Sequence, residues 1–343
     1  MINLRGIHPD TLRADFKQAG QKSYLYKQVM NWVYQHHRSS FDAMHTIAKP
    51  ARAWLSERYT LDEPVVVDKQ VAADDSAVKY VLALADGQRI ETVLLREKSY
   101  NTLCVSSQCG CGIGCTFCLT GTLGFGRQLQ VAEIVGQVTV VCRDAPISRI
   151  VFMGMGEPLA NIEAVVTAIA ILNHPDAVAI GKRKITVSTS GILPGISYLT
   201  KHKIVLNLAF SVGHADPAKR LSIMPIEKTM PILDVATAIK AYQALHNRQL
   251  TLEYTLLKSI NDDAGAIQAL GRLAKYLQAK VNLINLNPHP AIPYEPVSRG
   301  VLYQCLQALQ SDGVYTTIRH PKGDDIIAAC GQLGLVKAGA VLN

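Results

Sequence analysis

"CGCGIGCTFC", residues 109–118, puts four cysteines into ten positions of a 343-residue chain that holds eight in all. Three of them, Cys111, Cys115 and Cys118, follow the spacing C-x3-C-x2-C. Spacers this short let one loop wrap a small inorganic core, and glycines at 110, 112 and 114 relax the backbone so that thiolates converge. In a [4Fe-4S] cluster each iron wants a ligand, so three thiolates leave one iron open to a substrate. The competing reading is tetrahedral zinc closed by Cys104 or Cys109, although zinc motifs usually come as two separated pairs. Spacing favours iron and sulfur, and Cys109 stays open between the two.

The loop directly follows an apolar run, "TLCVSS" (102–107), and that pattern recurs. Strands are predicted at "RIVFMG" (149–154), "KITVSTS" (184–190), "VLNLAFS" (205–211), "LTLEYTLL" (250–257) and "VNLINLNP" (281–288), with a last one at "VYTTIRH" (314–320). Helical stretches lie between them, among them 131–142, 162–172, 231–245 and 266–279. Alternation of this kind implies a parallel sheet, and six units suit a partial rather than a closed eightfold barrel. The segments after the strands, such as "MGEP", "TSG", "VGHADP" and "NPHP", are rich in Gly, Pro and polar residues. Loops beyond the carboxyl ends of parallel strands share one face, so these distant segments are expected to line one pocket.

Residues 1–98 read differently. Two helices are predicted over "HPDTLRADFKQAG" (8–20) and "YLYKQVMNWVYQHH" (24–37), with Leu25, Val29, Trp32 and Val33 as core. The β-branched, alternating stretch 64–95, broken at "ADDS" and "ADGQ", reads as a small antiparallel sheet. The fold class is therefore α/β, a partial (βα)6 TIM-like barrel over 99–343 with a small α+β accessory domain over 1–98.

Net charge is +8, and residues 1–60 carry nine Lys or Arg against four Asp or Glu. A basic module interleaved with aromatics, as in "KSYLYKQVMNWVYQHHR", suits RNA, because phosphates are held by cations and exposed bases by flat rings. No run of 18 uncharged apolar residues occurs, and the opening "MINLRGIHPDTLRADF" lacks the order of a secretory signal. A cytoplasmic chain without membrane contact is expected. In that reducing compartment the cysteines point to metal or redox chemistry rather than structural disulfides.

The C-x3-C-x2-C loop after a first barrel strand resembles the radical S-adenosylmethionine superfamily. The motifs "LCVSSQCGCGIGCTFC", "GFGRQL", "MGMGEPLAN", "STSGILP", "INLNPHP" and "GDDIIAACGQL" are similar, in order and over nearly the whole chain, to the RlmN/Cfr family of RNA adenine methyltransferases. That resemblance implies a [4Fe-4S] cluster on Cys111, Cys115 and Cys118, whose open iron takes the amino and carboxylate groups of S-adenosylmethionine. It implies further cofactor contacts from Gly156, Glu157, Ser188, Ser211, Val212, Gly213 and Asn287. Cys330 resembles the methyl-carrying cysteine, Cys104 the resolving cysteine that pairs with it in a transient disulfide, and Glu91 a proton acceptor.

An adenine ring carbon is electrophilic, so direct methyl transfer from a sulfonium would join two electron-poor centres. The family uses two S-adenosylmethionine molecules, one to methylate Cys330 and one to supply the radical that activates the S-methyl group. The implied substrate is adenosine in large-subunit ribosomal RNA, with transfer RNA as a second candidate and carbon 2 favoured over carbon 8. A monomer served by flavodoxin or ferredoxin is expected. One departure stands out: where relatives commonly read "SLHAP", this chain has "SVGHADP", with Gly213 at the usual His position and His214 after it. The alternatives are a non-catalytic zinc-binding RNA protein, which leaves Cys104 and Cys330 without a purpose, and a radical enzyme for a small molecule, which leaves the basic module without one. A dinucleotide-binding oxidoreductase is disfavoured, since no G-x-G-x-x-G follows a first strand.

Overall fold

A computed structural model describes residues 1–334. The first sixty residues form helices α1 (Pro9–Gln18), α2 (Ser23–Tyr34) and α3 (Lys49–Arg58), tied by the short parallel strands β1 (Ile2–Asn3) and β2 (Tyr59–Thr60). Pro9 opens α1, where a missing amide costs nothing, and His8 caps that end by accepting from the Asp10 amide at 3.2 Å. On α2, Leu25, Val29 and Val33 recur every four residues and are buried. Trp32 lies at the margin of the core instead, where its indole N–H donates to Thr46 Oγ1 at 2.9 Å. An indole N–H needs such a partner, and the margin supplies it.

The module's positive charge is not all outward. Arg5 is fully buried, paired with Glu63 at 3.0 Å and donating to the carbonyls of Leu61 and Arg38. Burial pulls its pKa below the ordinary arginine value, against the raising effect of Glu63. Arg13 is paired with Asp176 of the barrel. The module rests on the barrel's outer side through these contacts, through Tyr26 Oη donating to Asp176 at 3.1 Å, and through Arg143 donating to the His37 carbonyl at 2.7 Å.

Residues 65–319 build a single ten-stranded sheet. Strands β3 (Val65–Val71), β4 (Ala77–Ala83) and β5 (Arg89–Arg96) are antiparallel, and β5 pairs antiparallel with β6 (Asn101–Cys104). A detached hairpin of β7 (Gln108–Gly110) and β8 (Phe125–Gln128) follows. The chain then runs through parallel strands β9 (Arg149–Phe152), β10 (Ile185–Thr189), β11 (Asn207–Ser211), β12 (Thr251–Leu256), β13 (Lys280–Asn285) and β14 (Thr316–Arg319). The one-turn helix α4 (Leu119–Thr122) closes the cysteine loop. Crossovers are made by α5 (Val131–Val141), α6 (Ile162–Asn173), α7 (Leu193–Lys201), α8 (Pro217–Ile223) with α9 (Ile232–Gln243), α10 (Ala264–Tyr276) and α11 (Arg299–Ser311).

The sheet order leaves β14 and β3 as its two ends, so the barrel is open, an α/β partial barrel. Here the antiparallel stretch departs from its sequence reading. It is not a sheet of its own, because hydrogen bonds between β5 and β6 run across residue 98. The physical reason is the free edge an open barrel leaves on β6, a row of unpaired amides and carbonyls that the hairpins cover. Cys142 ends α5, and Cys305 is buried on α11. Among the described residues no helix is long and apolar enough to cross a membrane.

Phe16 anchors the module, packed edge-on against Tyr26 and Trp54 with ring centroids 6.2 and 5.2 Å away. Phe16→Ala should destabilise it by about 3–5 kcal/mol. Both tryptophans of the chain, Trp32 and Trp54, lie in this module, so denaturation followed by intrinsic fluorescence reads it directly. A loss under about 1 kcal/mol would contradict this packing.

Candidate active site

The cysteine loop leaves β6 through Val105, Ser106 and Ser107, and buried hydrogen bonds fix that exit. Ser106 Oγ donates to the Glu91 carbonyl at 2.6 Å and accepts from the Met155 amide at 2.8 Å, while its amide donates to Gln137 Oε1 at 2.8 Å. The β7–β8 hairpin then braces the loop from behind. Cys109 lies on β7, buried, with Arg127 and Glu133 among its charged neighbours, and lines neither of the cavities described next. It is therefore set apart from the other three cysteines.

Cys111, Cys115 and Cys118 line one chamber of about 180 Å3 at the carboxyl ends of the strands. Burial pushes all three thiols up, Cys111 to about 12, and the Cys115 thiol is raised further by Cys118 and Cys111, so the sulfurs feel one another. Among the described residues no three His, Cys, Asp or Glu side chains are grouped tightly enough for a single metal ion. The fit to a cluster rests on the donor set: three thiols on one small chamber, mutually coupled, with the glycine-rich wall opposite.

Gly156, Glu157, Ser188, Ser211 and Gly213 line the same chamber. Gly156 sits at φ +97, and a Cβ there would run into the Gln108 side chain. Gly213 sits at φ +68, a conformation in which any other residue is strained, and a Cβ there would require the Met224 side chain to move. His214 is buried instead, its Nδ1 accepting from the Asp216 amide at 2.9 Å, and does not line the chamber. The Glu157 carboxylate accepts from the Leu159 amide at 3.0 Å and from the Ser190 amide and hydroxyl at 2.7 and 2.8 Å. Burial raises its pKa while these donors pull it down. The Thr189 side chain bonds it as well, so the carboxylate is held in place by the residues at the end of β10.

Two of the expected cofactor contacts are placed elsewhere. Val212 is fully buried, and its amide and carbonyl are taken by the Glu253 carbonyl at 3.0 Å and Arg220 Nε at 2.9 Å. Asn287 lines a second, wider cavity of about 670 Å3, where its Nδ2 donates to the Cys330 carbonyl at 3.0 Å.

That wider cavity occupies the barrel interior toward the amino ends of the strands and is lined by Cys104. Cys330 lines both cavities and is the one cysteine of the described residues that does so. Arg319, Glu253 and Met153 share that junction. Burial and then Cys330 push the Cys104 thiol up to about 12, with Arg319 acting in the opposite sense. The Arg319 pKa is raised above the ordinary value, chiefly by Cys330. A cation that acts on both thiols thus lines the place where the cavities meet, a feature that the short strand "TTIR" gave no sign of. All eight cysteines are free, so the disulfide implied for Cys104 and Cys330 is not formed in this state.

Glu91 lines neither cavity. It is fully buried on β5, paired with Lys79 at 3.4 Å, and its Oε2 accepts from the Gly334 amide at 2.7 Å.

Comparison with known proteins agrees with this geometry. Residues 2–61 match the family model "Ribosomal RNA large subunit methyltransferase N-terminal domain", and residues 105–268 match "Radical SAM superfamily". A "Dual-specificity RNA methyltransferase RlmN" of Marinomonas sp. (strain MWYL1) is 38% identical over 97% of this chain and 92% of its own length. The protein of the same name from Syntrophobacter fumaroxidans (strain DSM 10017 / MPOB) is 40% identical over 92% of each. The crystal structure of a radical SAM methyltransferase from Sphaerobacter thermophilus superposes with TM-score 0.92 at 36% identity, covering 97% of this chain and 99% of that one. The chain belongs to the RlmN family of radical SAM methyltransferases. Membership implies a [4Fe-4S] cluster and S-adenosylmethionine, and the three-thiol chamber fits the first while its glycine, serine and carboxylate wall fits the second.

Replacing Cys111, Cys115 or Cys118 singly by Ala should abolish iron and sulfide uptake on anaerobic reconstitution, whereas Cys109→Ala should retain it. Iron and acid-labile sulfide per chain, with the visible absorption band, check both halves.

Proposed function

We propose that this protein methylates a ring carbon of adenosine in RNA, carbon 2 in preference to carbon 8, using Cys330 as methyl carrier and Cys104 as resolving thiol. The observation that carries the reading is the position of Cys330, which opens on the three-cysteine chamber on one side and on the Cys104 cavity on the other. Cys111, Cys115 and Cys118 would hold the cluster, and Gly156, Glu157, Ser188, Ser211 and Gly213 would hold S-adenosylmethionine against it. When bound, the two supply one-electron cleavage of the sulfonium and hence a radical able to abstract hydrogen. The remaining steps belong to the protein's own side chains.

Cys330 takes the methyl group on its sulfur and, once a hydrogen atom is lost from that group, presents the carbon to the base. A cavity of about 670 Å3 is within the range that accepts drug-sized ligands and so has room for one unstacked nucleoside. After the carbon has joined the ring, the adduct gives up its unpaired electron, which the cluster would take back when bound, and its ring proton, and the Cys104 thiolate then attacks the Cys330 sulfur. The S–S bond forms as the S–C bond breaks, the electron pair leaves with the carbon, and a proton completes the methyl group. Arg319 offsets part of the cost of forming that thiolate in a buried place. Reduction by cellular thiols then restores the free cysteines.

RNA is favoured over a small molecule by charge. The wide cavity is lined by Arg149, Arg183, Lys184, Lys280 and Lys322, against Glu97 and Glu253 as acids. Arg149 and Tyr100 stack at 3.9 Å, a cation with a flat ring at the same mouth. We assign this rim to the backbone flanking the target base, and the N-terminal module, which lines neither cavity, to more distant RNA. The N-terminal family model's description supports ribosomal RNA as the substrate, the relatives' name, a dual-specificity RNA methyltransferase, supports a second RNA, and transfer RNA is the one proposed. Flavodoxin or ferredoxin is the proposed electron donor, and a monomer the proposed working form.

Mass spectrometry of nucleosides from RNA treated with the reconstituted enzyme should show 2-methyladenosine rather than 8-methyladenosine. Cys330→Ala should abolish the product with cluster content unchanged, and Cys104→Ala should accumulate covalently bound RNA. Normal turnover by either variant sinks the shuttle. Arg183→Glu with Lys184→Glu should weaken RNA binding across sequences and lower the slope of log affinity against log salt by roughly one for each phosphate that is no longer neutralised. An unchanged slope in filter binding removes the rim from the interface.

A further inference from the structure

Cys330 lies on a segment of irregular backbone, residues 320–334, that follows β14. Its placement between two cavities therefore depends on tertiary contacts rather than on a helix or strand. The cysteine loop holds it on one side: the Leu119 amide donates to the Gly331 carbonyl at 2.8 Å, and Thr120 Oγ1 donates to the Leu333 carbonyl. The β13 exit holds it on another, through Asn287 to the Cys330 carbonyl and Gln332 Nε2 to the Pro288 carbonyl at 3.1 Å.

The third hold comes from the hairpins. Lys79 on β4 and Glu91 on β5 are diagonal neighbours on one sheet face, since Lys79 lies opposite Val93. Both side chains are fully buried and 3.4 Å apart. Lys79 Nζ donates to the Ile327 carbonyl at 3.2 Å, and Glu91 Oε2 accepts from the Gly334 amide at 2.7 Å. The pair thus grips the segment three residues before Cys330 and four residues after it. Ile327 is at φ +53, a left-handed conformation that a β-branched residue adopts only where its surroundings compel it. A buried ion pair contributes little net stability, because desolvation offsets most of its attraction, so its presence here calls for a geometric role.

We propose that Lys79 and Glu91 are positioning residues, a buried clasp that sets Cys330 at the junction of the two cavities. The inference rests on Cys330 being the methyl carrier, and it gives Glu91 a role exerted through the Cys330 segment rather than by contact with the base.

The test uses the full chain as Lys79→Met, Glu91→Gln and the volume-matched apolar double variant Lys79→Met with Glu91→Leu, the last chosen because it removes both charges of the pair. Amide hydrogen exchange of peptides covering 323–334 and maleimide labelling of Cys330 are read by mass spectrometry, beside kcat and KM of the reconstituted enzymes. In the double variant, exchange and labelling should rise about tenfold, kcat should fall, and KM for RNA should hold. Wild-type exchange and labelling in the double variant overturn the clasp. So does Glu91→Gln with unchanged exchange that stalls as an RNA adduct, the mark of a group acting on the base itself. If the wild-type enzyme makes no methyladenosine, the methyl-carrier reading fails while the exchange and labelling results still decide the clasp.

Discussion

Parallel hydrogen bonding between successive strands is the constraint on which the rest of this molecule depends. The β6–β9–β10–β11–β12–β13–β14 ladder runs in one direction throughout, so every strand delivers its carboxyl end to the same level. Met153 after β9, Ser188 on β10, Ser211 on β11, Thr255 on β12 and Leu286 after β13 meet around one small chamber although more than a hundred residues separate the first from the last. The cysteine loop is the extension of β6 into that space. Because the barrel is open, its interior also remains accessible toward the amino ends, and a second cavity exists only for that reason. A closed eight-stranded barrel fills its interior with layers of side chains and would leave no such room.

The electrostatics of the two cavities differ in a way that suits two ligands. The upper chamber places thiols and one heavily hydrogen-bonded carboxylate around glycine and serine, a wall for a cationic sulfonium with an ammonium group. Behind that wall, Arg220 is fully buried, bonded to Glu227 and donating to the Ser190 and Val212 carbonyls, at 2.7 Å and 2.9 Å. That arginine fixes the Ser190 loop, whose amide and hydroxyl hold Glu157. Glu157 is thereby oriented through a chain of buried donors, none of which touches the ligand space as a free charge. The lower cavity, by contrast, is rimmed with lysine and arginine. Cys330 and Arg319 are the partition between these environments.

Much of this was legible in the sequence, and what was not has a common cause. C-x3-C-x2-C reports its ligands because loop spacing alone brings the thiols together, and the six strand–helix units are legible because a two-residue period gives way to a 3.6-residue period at each junction. Gly156 and Gly213 were legible as turn residues, since only glycine takes those φ values without strain. Val212 and Asn287 were implied as cofactor contacts by the family resemblance, yet alternation along an extended chain turns Val212 away from the chamber, and Asn287 reaches to a carbonyl 43 residues later. The continuity of the hairpins with the barrel, the Arg319 junction and the Lys79–Glu91 pair were not legible at all. Each is a contact between elements, fixed by sheet order and register, and no local pattern encodes it. Trp32 shows the same on a smaller scale: its spacing permits the core, and the need of its N–H for Thr46 decides against it.

The distribution of positive charge follows from the same architecture. Counting residues gives the first sixty an excess of cations, but Arg5 is held inside the module against Glu63 and Arg13 is held by Asp176 of the barrel. These two serve the internal structure and docking of the module rather than any outside partner. Lys79, likewise, is fully buried in the β4–β5 sheet and inaccessible to solvent. Lys17, Lys22, Lys27 and Arg38 of the module stay exposed, and a second group of cations lies at the lower mouth, where Arg183 and Lys184 precede β10 and Lys280 begins β12's neighbour β13. Charges at the amino ends of strands lie opposite the end that holds the cluster loop. A phosphate backbone gripped there would therefore be kept away from the thiolates, whose negative charge repels it, while a single extruded base could travel up the interior to Cys330.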